Sequence, residues 1–170
     1  PRQRIHDTPE AGLRPQMINP VDCKNVLLEG FTIAQPGPFW TIQMLYCENV
    51  IVRGLELHTK GGPNTDGINL DSCKNALIEY CHIDAGDDCI ALKSGINEDG
   101  RRVGRPTENV VVRNILGLRS HGGIVIGSEM SGGVRNVLAY DCEFDGADKG
   151  IRLKSNASRG GVVENIWYRN

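Results

Sequence analysis

Six copies of one short pattern divide the chain into similar segments, and this repetition limits the possible folds more than any other feature. The copies are CKNVLLEGFTI, CENVIVRGLEL, CKNALIEYCHI, TENVVVRNILG, VRNVLAYDCEF and VENIWYRN. Each contains an asparagine at the same place: Asn25, Asn49, Asn75, Asn109, Asn136 and Asn165. Repeats of about 20 to 50 residues are typical of solenoid proteins, in which every repeat packs only on its neighbours.

A second repeating segment precedes each copy and is aligned on an isoleucine. These isoleucines are Ile18, Ile42, Ile68, Ile90, Ile124 and Ile151, separated by 22 to 34 residues. Short alternating strands joined by polar and glycine-containing turns, without a helical period, indicate an all-β fold. The sequence therefore predicts a right-handed parallel β-helix of about six coils, with residues 1–170 as a single domain. A leucine-rich horseshoe is the competing solenoid, but its leucine spacing is absent.

Stacking of the repeats assigns structural roles to whole columns of residues. The asparagines can form a ladder of side chains at one turn, and each aligned isoleucine with its second neighbour points inward. Leu153 is one of these expected inward residues. The six cysteines also fall largely into columns, without a C-x-x-C pair or a histidine partner at metal-binding spacing. We therefore expect buried, reduced thiols that fill the core at Cys23, Cys47, Cys73, Cys81, Cys89 and Cys142.

Composition excludes several classes of partner. The net charge is −2 with both signs interspersed, so the chain lacks the basic surface that nucleic acid or an anionic membrane would require. No run of about 18 apolar residues is present, and no membrane-spanning segment is predicted. The sequence gives no pattern for a metal ion or a cofactor.

Polar residues at equivalent positions of neighbouring repeats collect on one stripe of the helix. Counted from the aligned isoleucine, Asp66 and Asp88 share position −2, and Asp87 and His121 share position −3. Arg152 and Lys154 lie at +1 and +3 of the last repeat. Within three rungs, or about 15 Å, three carboxylates would therefore meet one imidazole and two cations.

Three carboxylates on neighbouring rungs cannot all ionise comfortably, so one is expected to keep its proton. A protonated carboxyl beside ionised ones fits glycosidic hydrolysis, where one acid protonates the leaving oxygen and a carboxylate activates water. Arg152 and Lys154 could then bind an acidic substrate, the arginine in bidentate fashion. We expect the retained proton on Asp87.

Four motifs carry a resemblance to a known family. NTDG (64–67), GDD (86–88), SHGG (120–123) and RLK (152–154), in this order on β-helix repeats, resemble the motif set of the polygalacturonases, glycoside hydrolase family 28. The resemblance implies inverting hydrolysis of α-1,4-linked galacturonate in pectin, without a cofactor, by an extracellular or periplasmic enzyme. Matched by motif, Asp87 would be the general acid, Asp66 and Asp88 would activate the water, and His121 would tune the acid. The resemblance also implies substrate-binding roles for Asn64, Arg152 and Lys154.

Some features depart from the family pattern or qualify it. Ser120 stands where the family usually has glycine, and strict register would put Asp66 and Asp88 about 5 Å apart, nearer to the spacing of retaining enzymes. Inversion therefore follows from the resemblance alone. GPFWTIQ (37–43) and IGSEMSGG (126–133) resemble the exo-acting branch. Because the family usually has longer chains, we expect this chain to be a central fragment.

Three readings remain for the assembled stripe. Beside the hydrolase, a β-helix polysaccharide lyase acting on pectate would need Ca²⁺ and a basic proton abstractor. A non-catalytic carbohydrate-binding scaffold would need the repeats but not the three aspartates. The longest repeat adds an excursion, residues 94–108, whose Arg101, Arg102 and Arg105 would either be solvated or contact an anionic polymer.

Overall fold

The computed structural model describes residues 14–170, which form three parallel sheets wound into a β-helix. The first sheet, named the ladder sheet, contains β1 (Lys24–Glu29), β4 (Glu48–Arg53), β7 (Lys74–Glu79), β10 (Thr107–Arg113), β13 (Val134–Tyr140) and β16 (Val163–Arg169). The second, named the site sheet, contains β3 (Ile42–Leu45), β6 (Ile68–Asp71), β9 (Asp88–Lys93), β12 (Gly122–Gly127) and β15 (Ile151–Lys154). The third contains β2 (Thr32–Ile33), β5 (Glu56–His58), β8 (His82–Asp84), β11 (Leu116–Leu118) and β14 (Glu143–Asp145).

Each strand pairs in parallel with the strand three places later in the chain, so every coil contributes one strand to each sheet. The predicted parallel β-helix is confirmed. Its ladder sheet has six strands and the other two sheets have five, which corresponds to five complete coils and one further strand. An isolated parallel bridge between Ile18 and Ile42 extends the site sheet at the first coil.

The predicted isoleucine column forms the interior of the helix. Ile42, Ile68, Ile90 and Ile124 are at most 1% exposed, and their Cα positions pair from rung to rung. The expectation that every such residue is buried is wrong at the edge of the sheet, where Leu153 is 61% exposed. Strand β15 has a neighbour on one side only, so side chains on this rung are covered from one direction.

The predicted asparagine ladder is confirmed along all six rungs. From Asn49 onward, each side-chain amide nitrogen donates to the side-chain oxygen of the preceding asparagine, at 3.0–3.2 Å. All six residues have a φ of 55–58°, in the left-handed region that asparagine tolerates better than most side chains. The repeat therefore requires asparagine for both its backbone conformation and its side-chain hydrogen bonds.

The cysteines are reduced, as expected, but they are not all buried. Cys47, Cys73, Cys81 and Cys89 lie in the core, and burial raises the pKa of the last three well above the usual range of a thiol. Two cysteines depart from the prediction of core filler: Cys23 on the first coil is exposed, and Cys142 is partly buried.

The longest repeat contains a helix that the strand-only reading of the sequence missed, α1 (Asn97–Val103). Two arginines of this excursion contact other parts of the protein. Arg101 donates to the carbonyl oxygens of Ser158 and Arg159 at 2.8 and 2.9 Å, and Arg105 lies over the ring of Tyr46 at 4.7 Å. The structure therefore favours a structural role for this excursion. No helix within residues 14–170 is long and apolar enough to cross a membrane.

Candidate active site

The register of the site sheet brings the predicted site residues together. Asp88 pairs with Gly122, and Lys154 pairs with Gly127, on adjacent rungs. A cleft of about 270 Å³ opens on the outer face of this sheet. Five of the seven predicted residues line it: Asn64, Asp66, Asp87, Asp88 and Lys154. His121 and Arg152 lie beside the cleft and are connected to it through Asp87.

The three aspartates differ in depth. The side chains of Asp66 and Asp88 are 3% and 1% exposed, whereas that of Asp87 is 18% exposed. Burial raises the pKa of Asp66 to about 8, with Lys93 opposing the rise and Asp87 and Asp88 adding to it. Burial also raises the pKa of Asp88, against the effect of Lys154. In the free protein, burial therefore favours a retained proton on Asp66, whereas the sequence predicted the retained proton on Asp87.

Asp88 is held by a direct ion pair. The Lys154 ammonium lies 3.0 Å from its Oδ2 atom, so Lys154, expected to bind substrate, is also a partner of a catalytic candidate. The other oxygen, Oδ1, has no protein partner although it is buried. Gly122 makes room for this carboxylate, because a Cβ atom there would lie 2.8 Å from Asp88 Oδ1. An unpartnered, buried acceptor beside a cleft is available to hold a water molecule.

Asp87 has neutral and basic partners at the surface of the cleft. The Asn64 amide donates to its Oδ2 atom at 3.2 Å, and the Nδ1 atom of His121 lies 3.3 Å from its Oδ1 atom. The Nε2 atom of His121 lies 3.7 Å from the carboxylate of Asp148. The guanidinium of Arg152 approaches both ring nitrogens of His121 at 3.5 Å. The imidazole is therefore placed to influence the charge of Asp87.

Lys93 is a charged residue of the cleft that the sequence reasoning did not select. Its side chain is 4% exposed, and its ammonium lies 2.8 Å from Glu129 and 3.8 Å from Asp66. The same nitrogen lies 4.6 Å from the centre of the Trp40 ring. A signal was present in the sequence, because Lys93 occupies the same outward position as Lys154. Its partners could not be identified, since Glu129 lies outside the aligned columns and the position of Trp40, two residues before Ile42, does not show which way its ring turns.

The aromatic residues of GPFWTIQ form one wall of the cleft. The rings of Phe39 and Trp40 are stacked, with their centres 4.4 Å apart. The guanidinium of Arg14 lies 4.6 Å from the centre of the Phe39 ring, and its Nη1 atom donates to Asn64 at 3.5 Å. A flat apolar surface beside a cation is suited to bind a sugar that carries a carboxylate.

One group within residues 14–170 has the spacing of a metal site. Ligand atoms of Asp87, Asp88 and His121 all lie within 4.8 Å of one another. However, the ammonium of Lys154 contacts Asp88, and the guanidinium of Arg152 contacts His121. These cations disfavour a divalent metal ion at the same place. The arrangement is instead suited to proton transfer, with an accessible carboxyl, two deep carboxyls and fixed cations.

Comparison with known proteins identifies relatives of the whole described region. Residues 5–170 match the family described as Glycosyl hydrolases family 28. A probable polygalacturonase from Vitis vinifera is 37% identical over 169 residues, covering 98% of this chain and 34% of the relative. An exo-poly-alpha-D-galacturonosidase from Dickeya chrysanthemi is 28% identical, covering 92% of this chain and 26% of the relative.

Two solved structures of exopolygalacturonases also resemble this chain. A hyperthermoactive exopolygalacturonase from Thermotoga maritima has a TM-score of 0.87 and 49% identity, covering 90% of this chain and 34% of that one. A family 28 exopolygalacturonase from Yersinia enterocolitica has a TM-score of 0.75 and 27% identity. The chain spans about a quarter to a third of the length of the two curated relatives named above.

Proposed function

The chain belongs to glycosyl hydrolase family 28, and on that premise we propose that it hydrolyses α-1,4-galacturonosidic bonds in pectin or polygalacturonate. The observation that carries the proposal is a cleft that contains three aspartates, one accessible and two buried. His121 contacts the accessible Asp87, and a lysine ammonium lies close to each of the two buried carboxyls. The similarity to proteins named polygalacturonase supports this substrate class.

In the proposed reaction, Asp87 is the general acid. Its carboxyl is the most exposed of the three, and it is therefore the one that the oxygen of a glycosidic bond can approach. Asp87 enters the reaction in its protonated form and gives this proton to that oxygen as the bond to the anomeric carbon breaks, while the proton lost by the attacking water passes to Asp88. His121 and Asn64 hold the carboxyl in place and stabilise the carboxylate that remains.

The water that attacks the anomeric carbon is assigned to Asp88 and Asp66. Asp88 has a free buried oxygen and an ammonium partner, so it is better suited than Asp66 to be ionised and to accept a proton from the water. Asp66, whose pKa burial raises to about 8, enters the reaction with its own proton and can donate a hydrogen bond to the same water. Attack opposite to the leaving group gives a product of inverted configuration.

Substrate binding is assigned to the cations and the aromatic wall. Arg152 and Lys154 are placed to bind the carboxylate of a galacturonate unit, as are Arg14 and the Phe39–Trp40 surface on the opposite side. We also infer exo action, which the two exopolygalacturonase structures support. Since a pectin polymer cannot enter a cell, the enzyme is proposed to act in the extracellular or periplasmic space.

The deciding experiment incubates the protein with polygalacturonate, with and without a chelator, and sizes the products. A hydrolase gives new reducing ends without ultraviolet absorbance, and a chelator leaves the rate unchanged. Unsaturated products that disappear with the chelator would instead identify a lyase. Binding without cleavage would identify a scaffold. A ladder of intermediate lengths, rather than release of short products from chain ends, would contradict exo action.

A further inference from the structure

Lys93 has an unusual environment for a lysine. It projects from the outer face of β9, where a side chain would ordinarily reach solvent, yet it is 3% exposed. Lysine is almost never fully buried unless its charge is paired. Here the ring of Trp40 covers the ammonium, and Glu129 provides the close partner at 2.8 Å. Although Lys93 lies in the wall of the cleft, its ammonium is therefore already engaged by protein groups.

The two carboxylates that face Lys93 are not equivalent. The distance to Glu129 is that of a strong hydrogen-bonded ion pair, whereas the 3.8 Å to Asp66 is too long for a hydrogen bond and leaves only electrostatic attraction. Glu129 thus holds the ammonium away from Asp66. The oxygens of Asp66 remain free to bind water or substrate while they still experience a fixed positive charge.

We propose that Lys93 is a positioning residue, held in place by Glu129 and Trp40, which keeps Asp66 able to change its protonation state without forming a hydrogen bond to it. The role in catalysis rests on the proposed hydrolysis, whereas the effect on Asp66 does not.

Electrostatics support this geometry. A carboxyl as deep as Asp66, beside two other aspartates, would be locked in its protonated form, and a direct bond to an ammonium would lock it ionised. Lys93 lowers the pKa of Asp66 against the larger effect of burial. For its part, Lys93 stays charged, because Asp66 and Glu129 outweigh the burial that would lower its own pKa. The charged groups that face Asp66 or line the same cleft are Lys93, Asp87, Asp88, Lys154, Glu129 and Arg14.

The test follows the titration of Asp66 directly. In protein labelled with ¹³C-aspartate, the Asp66 carboxyl resonance is assigned by its loss in Asp66→Asn, and its midpoint is measured by NMR. Lys93→Met should move the midpoint to higher pH by about 1 unit or more, and Lys93→Arg should move it much less. Glu129→Gln should move it to lower pH, since the ammonium is then free to approach Asp66. Lys24→Met, an exposed lysine of β1, is the matched control and should leave it unchanged.

The pH profile of polygalacturonate cleavage provides the second readout. The inflection of the pH–rate profile that corresponds to the titration of Asp66 should move in Lys93→Met. Its shift should have the same direction and size as the shift of the NMR midpoint, and kcat should change more than KM. An unshifted midpoint in both Lys93→Met and Glu129→Gln overturns the proposal, even if activity falls. If Lys93→Met does not fold, Glu129→Gln alone tests the proposal: a lower Asp66 midpoint supports it, and an unchanged midpoint overturns it. A shifted midpoint in a protein without hydrolase activity would refute the proposed function but retain the role of Lys93.

Discussion

Two faces of the same β-helix use charge in opposite ways. The ladder face, the outer side of the ladder sheet, alternates the sign of charge from rung to rung. One column runs Lys24, Glu48, Lys74, Glu108, Arg135 and Glu164, and its members are paired in register. A one-rung slip would place like charges opposite each other, which destabilises the pairing. These side chains are largely exposed, so we attribute to them specificity of register more than stability.

The site face, the outer side of the site sheet, stacks like charges instead. Asp66 and Asp88 occupy equivalent places on successive rungs, Asp87 adjoins them, and two of the three are buried. Such an arrangement weakens the fold, because burial disfavours the charged form of each carboxyl. The contrast teaches that one repeating scaffold can carry both kinds of column. Departures from local stability then mark the place where chemistry is performed.

The strongest test of this contrast neutralises one carboxylate on each face. Asp87→Asn should lower the rate of polygalacturonate cleavage by about 100- to 10,000-fold, because the leaving oxygen loses its proton donor. The denaturation midpoint should change little. Glu29→Gln on the ladder face is the control and should keep full activity. A variant Asp87→Asn that retains more than about a tenth of the rate would remove Asp87 from the role of general acid.

A second test concerns the pH dependence of stability. Because the pKa of Asp66 is raised to about 8 in the folded protein, the native state binds a proton that the unfolded chain releases above about pH 4. The free energy of unfolding should therefore fall as pH rises from about 4 to about 8, by as much as about 1.4 kcal/mol per unit. The stabilisation that comes from the Asp66 proton should be complete only below about pH 4.

Asp66→Asn removes this proton and should flatten the decline, which urea denaturation at several pH values would measure. Asp145→Asn, at an exposed position of β14, should keep the wild-type slope. If Asp66→Asn also keeps the wild-type slope, the retained proton is not on Asp66.

A third test separates the two roles of the asparagine ladder. Asn75→Ala should lower the free energy of unfolding by about 2 to 3 kcal/mol, through left-handed strain and the loss of two side-chain hydrogen bonds. Asn75→Gly accepts the φ of 58° and should lose only about 1 kcal/mol. Cleavage activity should persist in both folded variants. Equal losses in the two variants would show that backbone strain contributes nothing.

The smallest expected effect is that of a single charge on the ladder face. Glu108 lies 2.7 Å from Arg135 and 3.4 Å from Lys74, and the bond from Arg135 lowers its pKa. Glu108→Gln should reduce the free energy of unfolding at pH 7 by less than about 1 kcal/mol, and by less again in concentrated salt. The wild-type contribution should disappear as pH falls below the usual pKa of glutamate. A larger loss that salt does not reduce would assign stability to this column.

The two faces also differ in how well the sequence predicts them. The asparagine column, the isoleucine column and the register of the site residues all follow from the repeat, because residues at equal positions of a solenoid stack directly. The same register placed Asp66, Asp88 and Lys154 together. Exposure at the edge strand was not predictable in this way, and Leu153 is the example: its column is correct, but no neighbouring strand covers it.

The burial of individual side chains in the cleft depends on the connections between strands, and the repeat does not predict it. Lys93 lies at an outward position of its repeat, but its burial depends on the ring of Trp40 and on Glu129, and the repeat predicts neither contact. The proton is a second example. Register orders Asp66, Asp87 and Asp88 along the helix but gives neither their depth nor their charged partners, and both decide how far each pKa rises.

By itself, the sequence determined the solenoid, its register and the residues that meet at the site, because parallel strand pairing converts a repeat in sequence into columns in space. Only the tertiary structure decided which carboxyl is deepest, which lysine is covered and which cation contacts which acid. These properties depend on how irregular connections pack over the site sheet, and on the local dielectric that this packing creates around each charge.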